Sequence, residues 1–346
     1  MPLRPEDDLC EISSGRQALV PAQPSRLPMK ILHDYRDFPS SQRSSVTIGN
    51  FDGLHLGHRR ILLDLLRTAV ASGTASVVMT FSPHPLQILH PDKAPKLIVP
   101  TEDKIARIDS LGVDYLLLVK FDEALSRLSG EAFIREILVG AIKVQHVFVG
   151  HHFVFGHKRS GNVALLKSLE GEYGYTVHVI PPVAVRGNRV SSTGIRELIR
   201  SGQISQANRL LGRYYSLQGR VVPGQGLGRT VLVPTLNLEA QNEILPGNGV
   251  YATLAHFHGK SYPAVTNVGT RPTVSGTSLS VETHLLEHTP AAPPTRLELK
   301  FLHRLRDEQK FPSVDELKQQ IAKDIQRAKR FFGLLKKLRR GASLPG

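Results

Sequence analysis

The run Val46-Thr47-Ile48-Gly49-Asn50-Phe51-Asp52-Gly53-Leu54-His55-Leu56-Gly57-His58 constrains this chain more than any other stretch. Its β-branched opening reads as a buried strand. Gly49, Gly53 and Gly57 allow tight turns and close approach of the backbone to a ligand. After His58, the spacing of Ile61, Leu62, Leu63, Leu65 and Leu66 is helical. The two histidines therefore fall where a strand ends and a helix begins. Free backbone N–H groups and the positive end of a helix dipole converge at such a junction, which suits phosphate. Both histidines can donate to charge that grows as a phosphate is attacked, an electrostatic role rather than a nucleophilic one. A bare pair at this spacing also fits a metal or a solvated helix start. No Cys or carboxylate neighbour completes a zinc set, and the surrounding context weighs for phosphate.

From residue 29 to 212, strand-like runs alternate with helical ones. The strands are read at 30–32, 46–48, 77–81, 115–119, 146–149 and 176–180. Gly73 and Gly112 end the first two helices, and Ser129 caps a third. Near-continuous apolar strands separated by helices predict an α/β fold with a doubly wound parallel sheet. Ligands of such sheets lie beyond the carboxyl ends of the strands. Three further segments fall there. Ser82-Pro83-His84-Pro85 reads as a loop that cannot be helical. Residues 150–162 offer glycines, Phe153, Phe155 and the adjacent cations Lys158 and Arg159, suited to covering a flat ring and phosphates. Ser191-Ser192-Thr193-Gly194-Ile195-Arg196 opens a helix, where hydroxyls cap the helix, bind phosphate or do both. Arg196 lies one turn along, so its fork reaches the same anion.

Past Gly212 the texture changes. Runs at 214–222, 249–257, 262–267, 279–286 and 297–302 read as short strands with Gly/Pro turns, an antiparallel barrel or sandwich. Ser313-Val314-Asp315-Glu316 is a capping box, and Leu317, Ile321, Ile325 and Ala328 line the face of a last helix that packs on the barrel. The length of 346 residues suggests two domains. The formal net charge is +14, and residues 323–340 supply half of it with eight Lys/Arg and one Asp. That stretch reads as a solvated helix end. No aromatic platform stands beside it, so nucleic acid is not an expected partner. The single Cys10 excludes an intramolecular disulfide framework and suits a reducing cytoplasm. No run of about 18 apolar residues suggests a membrane span. The expected layout is a loose extension over 1–28, domains over 29–212 and 213–335, and a basic tail over 336–346. Oligomeric state is not readable from the sequence.

These residues also carry a resemblance. His55-Leu56-Gly57-His58 with Ser191-Ser192-Thr193-x-x-Arg196 resembles the nucleotidylyltransferase superfamily. Adding Gly49-Asn50-Phe51-Asp52-Gly53, Thr80-Phe81-x-Pro83-His84-Pro85 and Val149-Gly150-x-x-Phe153-x-Phe155-Gly156 narrows it to the bacterial bifunctional riboflavin kinase/FMN adenylyltransferase (FAD synthetase) family. Gly219-Arg220-Val221-Val222-x-Gly224, Gly228-Arg229, Pro234-Thr235-Leu236-Asn237, Asn267-Val268-Gly269-Thr270-Arg271-Pro272-Thr273 and Val281-Glu282-Thr283-His284 resemble that family's kinase domain, a small β-barrel.

The resemblance implies phosphorylation of riboflavin by Mg²⁺·ATP to FMN, then transfer of AMP from a second ATP to give FAD and pyrophosphate. His55 and His58 would stabilise charge at the α-phosphate. Arg196, with Ser191, Ser192 and Thr193, would hold the departing phosphates. Gly49, Asn50, Phe51, Asp52 and Gly53 would line the ATP of this step, and Gly226, Gly228 and Arg229 the ATP of the kinase step. Phe81, Pro83, His84, Pro85, Phe153 and Phe155 would face the flavin. Thr235 and Asn237 would hold Mg²⁺, and Glu282 would take the proton of the ribityl hydroxyl. Read without the resemblance, Thr235 and Asn237 fit turn chemistry and Glu282 an outward strand position. The sequence departs from the family where Val231-Leu232-Val233 replaces the usual glycine and aromatic, at Leu236 and at His152. The competing expectations are an adenylyltransferase alone and a non-catalytic flavin- or nucleic-acid-binding regulator.

Overall fold

The computed structural model describes residues 28–223, 233–273, 276–287, 290 and 292–341. Gly226, Gly228, Arg229, Val231 and Leu232 lie outside the described residues, as do residues 1–27 of the extension expected over 1–28. The chain divides into two compact units between Val190 and Ser191.

The first unit is built on a six-stranded sheet. Its strands are β1 (Lys30–Leu32), β2 (Ser44–Ile48), β3 (Ala75–Ser82), β4 (Tyr115–Lys120), β5 (Val144–Gly150) and β6 (Thr176–Ile180). They run in the order β1-β4-β3-β2-β5-β6, every pair parallel. Alternate residues of each strand feed two separate cores, which is why the strands are apolar almost throughout. Val46, Ile48, Val77, Met79, Val147 and Val149 face one layer with Phe133, Ile134, Ile137 and Leu138. Val78, Leu116 and Phe148 face the other with Leu62, Leu65 and Leu66 of α1 (Leu56–Ser72). From β2 the chain winds outward through β3 and β4, and later resumes at β5 on the other side of β2. The winding therefore reverses between β2 and β5, and in such sheets the crevice at the carboxyl ends of those two strands receives ligands. Gly73 ends α1 in the left-handed region at φ 64, as its position predicts.

Pro85 departs from expectation. It is the first residue of a short helix, α2 (Pro85–Leu89), and not part of an irregular loop. Proline is accepted at this position because its missing N–H would be unsatisfied in any case. The restriction that proline imposes is met by His84, which is extended at ψ 133 and caps the helix. The next helix, α3 (Thr101–Asp109), adds Ile108 to the core beneath α1.

The second unit opens with α4 (Ser192–Arg200) and α5 (Ile204–Leu211). Six strands follow: β7 (Tyr215–Val222), β8 (Leu236–Ala240), β9 (Gly249–Phe257), β10 (Lys260–Thr273), β11 (Gly276–Leu285) and β12 (Arg296–Asp307). They close in the order β7-β8-β11-β10-β9-β12, which settles the choice between barrel and sandwich. Gly219 is demanded by this closure, since a Cβ there would lie 1.9 Å from the Glu239 carbonyl oxygen. Buried hydroxyls inside the barrel satisfy one another, Thr253 to Thr266 at 2.7 Å and Thr266 to Thr283 at 2.9 Å. The last helix, α6 (Val314–Gly341), packs Phe331 and Leu335 on Ala252 and Leu302 of the barrel. Its expected cap is present, Ser313 Oγ accepting from Glu316 N at 3.2 Å.

Candidate active sites

In the first unit, β2 ends at Ile48 and the next six residues turn sharply. Phe51, Gly53 and Leu54 all take positive φ, at 48, 78 and 39. A bulky residue in that region is strained and must be held there by its surroundings. Phe51 is held: it is 2 % exposed and packs in the α1 core, with its ring 5.2 Å from His58, edge to face. Gly53 lies against Ile98, whose Cδ1 would stand 2.8 Å from an added Cβ. Asp52 is buried and accepts from Ile98 N through both oxygens, at 2.9 and 3.2 Å. Its carboxylate braces the turn from beneath.

The turn delivers the histidine pair. His55 is the N-cap of α1, and its Nδ1 accepts from His58 N at 3.2 Å. The rings are stacked, 3.7 Å between centroids and 15° apart. Gly57 permits this, because a Cβ there would meet the His55 ring at 3.1 Å. Two imidazoles and the first turn of a seventeen-residue helix thus share one place at the end of β2.

Asn50 and His84 meet across this end of the sheet, Nδ2 to Nε2 at 3.0 Å. His84 is tied on its other side, Nδ1 accepting from Leu86 N at 3.2 Å. Beneath them lies Lys104 of α3, a residue the sequence reading missed. Its Nζ donates to Thr80 Oγ1 at 3.2 Å and to the Asn50 carbonyl at 3.4 Å. Burial lowers its pKa, and the Asp52 charge partly opposes that. The available signal was periodicity: Lys104 stands one helical turn before the buried Ile108.

The other expected flavin contacts are spread out. Phe81 lies edge-on to Phe121, and Pro83 is exposed. Phe153 and Phe155 stack on each other at 5.3 Å. Phe155 also packs on Phe133 at 5.4 Å and on Gly161, where a Cβ would collide with its ring at 2.6 Å. That ring therefore holds the loop on its core as well.

In the second unit, Ser191 is the N-cap of α4, with Oγ accepting from Gly194 N at 3.2 Å. Ser192 and Thr193 open the helix and Arg196 is buried. On the barrel, register places Asn237 of β8 opposite Glu282 of β11, and Glu282 opposite Asn267 of β10. Directly paired residues share a face, so these three polar side chains form one rung. Val281 and Thr283 on either side are buried, which puts the rung on the outer face. Ser280 Oγ stands 3.5 Å from the Glu282 carboxylate. Thr235 is exposed just before β8.

Two family models match the chain, FAD synthetase over residues 37–194 and riboflavin kinase over residues 211–332. The bifunctional riboflavin kinase/FMN adenylyltransferase of Escherichia coli K12 is 38% identical over 292 residues, covering 84% of this chain and 93% of that protein. This chain belongs to the bifunctional riboflavin kinase/FMN adenylyltransferase family. The enzyme of the same description from Bacillus subtilis 168 is 36% identical and is covered over 98% of its length. A crystal structure described as a macrolide-efflux protein from Streptococcus pneumoniae superposes with a TM-score of 0.79 at 27% identity, over 88% of this chain and 99% of that one. Among the described residues, no helix is long and apolar enough to cross a membrane. The enzyme phosphorylates riboflavin with ATP and adenylylates FMN to FAD. Matches to both domain families disfavour the adenylyltransferase-only and non-catalytic alternatives.

Proposed function

We propose that adenylyl transfer is carried by His55 and His58 at the start of α1, and phosphoryl transfer by Glu282 on the outer rung of the barrel. The stacked imidazoles carry the first assignment. They are pre-placed at a helix N-terminus, where charge developing at an α-phosphate is met without reorganisation. Lys104, Thr80 and His84 hold the Asn50 backbone and amide beside them. Ser192, Thr193 and Arg196 receive the departing pyrophosphate. The FMN phosphate attacks directly, with no covalent enzyme intermediate. Phe81, Pro83, Pro85, Phe153 and Phe155 border the flavin.

In the barrel, Glu282 accepts the proton of the ribityl hydroxyl as that oxygen attacks the γ-phosphate. Thr235 and Asn237 supply hard oxygen donors beside it, a set that fits Mg²⁺. When bound, the ion neutralises phosphate charge. By function the two domains are drawn at 29–212 and 213–335, although α4 and α5 pack in the compact unit of the barrel; small molecules are the substrates and the cytoplasm the setting.

Chromatographic product analysis tests these roles, with riboflavin or FMN supplied with Mg²⁺·ATP. His58→Ala should convert riboflavin to FMN and stop there. Glu282→Ala should leave riboflavin untouched yet still convert added FMN to FAD. FAD formed at the wild-type rate by His58→Ala would remove the histidine assignment, and FMN formed by Glu282→Ala would remove the base.

A further inference from the structure

Asn50 and His84 follow the neighbouring parallel strands β2 and β3, and so lie together past their carboxyl ends. His84 is seated on the first turn of α2. Its Nδ1 accepts from Leu86 N at 3.2 Å as the helix cap. Its own backbone N–H donates to Gln87 Oε1 at 2.9 Å, and its carbonyl accepts from Gln87 N at 2.7 Å. Turning the ring over would put a carbon against the Leu86 N–H and lose the cap.

A backbone N–H only donates, so Nδ1 of His84 carries no proton and the ring's N–H sits on Nε2. That nitrogen lies against the Asn50 amide at 3.0 Å. With Nδ2 toward the ring, two donors would oppose each other. A half-turn of the amide removes the conflict: Asn50 Oδ1 accepts from His84 Nε2–H, and the NH2 group faces away from the ring. Among the described residues the Asn50 side chain has no second hydrogen-bond partner, so both amide hydrogens stay available. His55 follows the same rule. Its Nδ1 accepts from His58 N at 3.2 Å, so its N–H also sits on Nε2. Beneath this turn, Lys104 Nζ and Thr80 Oγ1 both donate to the Asn50 carbonyl, at 3.4 and 3.3 Å. The buried Lys104 and the N-terminus of α1 favour negative charge at this place, which selects a phosphate oxygen as the acceptor.

We propose that His84 is a positioning residue for FMN adenylylation: by donating from Nε2 to Asn50 Oδ1 it turns the Asn50 amide so that its N–H groups meet a phosphate oxygen of ATP. This rests on the reading that adenylyl transfer takes place at His55 and His58. Asn50 is then the group that touches substrate, and His84 acts through it. The role differs from the flavin contact that the resemblance implied for His84. Donors already turned toward a developing charge need no reorganisation during the reaction, which is where their value in rate comes from.

Ring-nitrogen NMR of the full-length enzyme, carrying isotope-labelled histidine, reads the tautomer directly. The His84 signal, identified by its loss in His84→Gln, should be that of the Nε2–H form. The Nδ1–H form, or a doubly protonated ring, overturns the proposal whatever the activities. The two steps are then assayed separately. Asn50→Asp keeps an acceptor for His84 and removes both amide donors, and Asn50→Ala removes them without adding charge. Each should lower kcat for FMN adenylylation by roughly 100-fold or more. His84→Leu should lower it by roughly tenfold, and His84→Gln, whose amide offers both an acceptor and a donor, should recover to within roughly threefold of wild type. Riboflavin phosphorylation should stay within roughly twofold in all four. Wild-type turnover in either Asn50 variant overturns the proposal, as does a loss in His84→Leu that His84→Gln does not recover. His58→Ala separates the two levels. If it adenylylates FMN at the wild-type rate, the histidine reading fails; if it does not and the Asn50 variants do, His84 and Asn50 alone lose their roles.

Discussion

Gly53 shows how tightly the adenylylation turn is specified. Its φ of +78 and the 2.8 Å that would separate an added Cβ from Ile98 leave no room for a methyl group. Gly53→Ala should therefore destabilise the first unit by about 1–3 kcal/mol and reduce adenylylation, because the same turn sets Phe51 against His58. Urea unfolding checks the first part; a change within experimental error would mean that Ile98 yields freely. A second residue pair lies away from the chemistry. His178 Nε2 stands 3.3 Å from His146 Nδ1, and His178 stacks on Phe148 at 4.4 Å. Burial lowers the pKa of both, and for His178 the His146 charge lowers it further while Glu170 and Asp64 oppose. The folded values lie below 6.5, so the unfolded chain takes up protons first as pH falls. The pair's full contribution is present above 6.5 and is lost as pH drops toward the folded values. His146→Gln with His178→Gln should flatten stability against pH in that window, measured by denaturant midpoints; an unchanged slope would assign the acid sensitivity to carboxylates alone.

At the scale of elements, a buried ion pair ties α6 to the barrel. Arg306 Nε and Nη2 both reach Asp324, with distances of 2.9 Å to Oδ2 and side-chain exposures of 12% and 3%. Gln320 adds a bond to Asp324 Oδ1 at 2.9 Å. Removing one partner of a buried pair strands the other charge, so Asp324→Ala should cost about 3–5 kcal/mol. Arg306→Met combined with Asp324→Leu should cost far less, since no charge is left unpaired. Equal losses in the single and double variants, read from Tm, would show that the pair itself stabilises the helix. The Asp324 position was readable only as a polar residue on a basic helix; its burial follows from the bulge in the β9–β12 pairing that aims Arg306 at it.

At the scale of the molecule, Gly53 and Asp324 belong to different compact units with separate cores. The two positions lie in separate cores, so the losses of Gly53→Ala and Asp324→Ala should add within about 0.5 kcal/mol in the double variant. A larger interaction energy in denaturant unfolding would mean that the two cores unfold as one.

The sequence alone determined the elements whose identity is local. Apolar runs marked the parallel strands, Gly73 and Ser313 marked helix ends, and glycine spacing placed His55 and His58 at a strand–helix junction. β8 escaped notice because Leu236–Ala240 is short and mixes polar with apolar residues; its register comes from its partners β7 and β11. Pro85 as a helix start depended on His84 supplying the cap. Tertiary structure alone decided the rung of Asn237, Glu282 and Asn267, because three distant segments must pair before their side chains share a face. It also decided the burial of Lys104 and the union of α4 with the barrel. Periodicity reports which face of an element is buried. Which partner buries it is set by long-range packing and register, and those have no local signature in the chain.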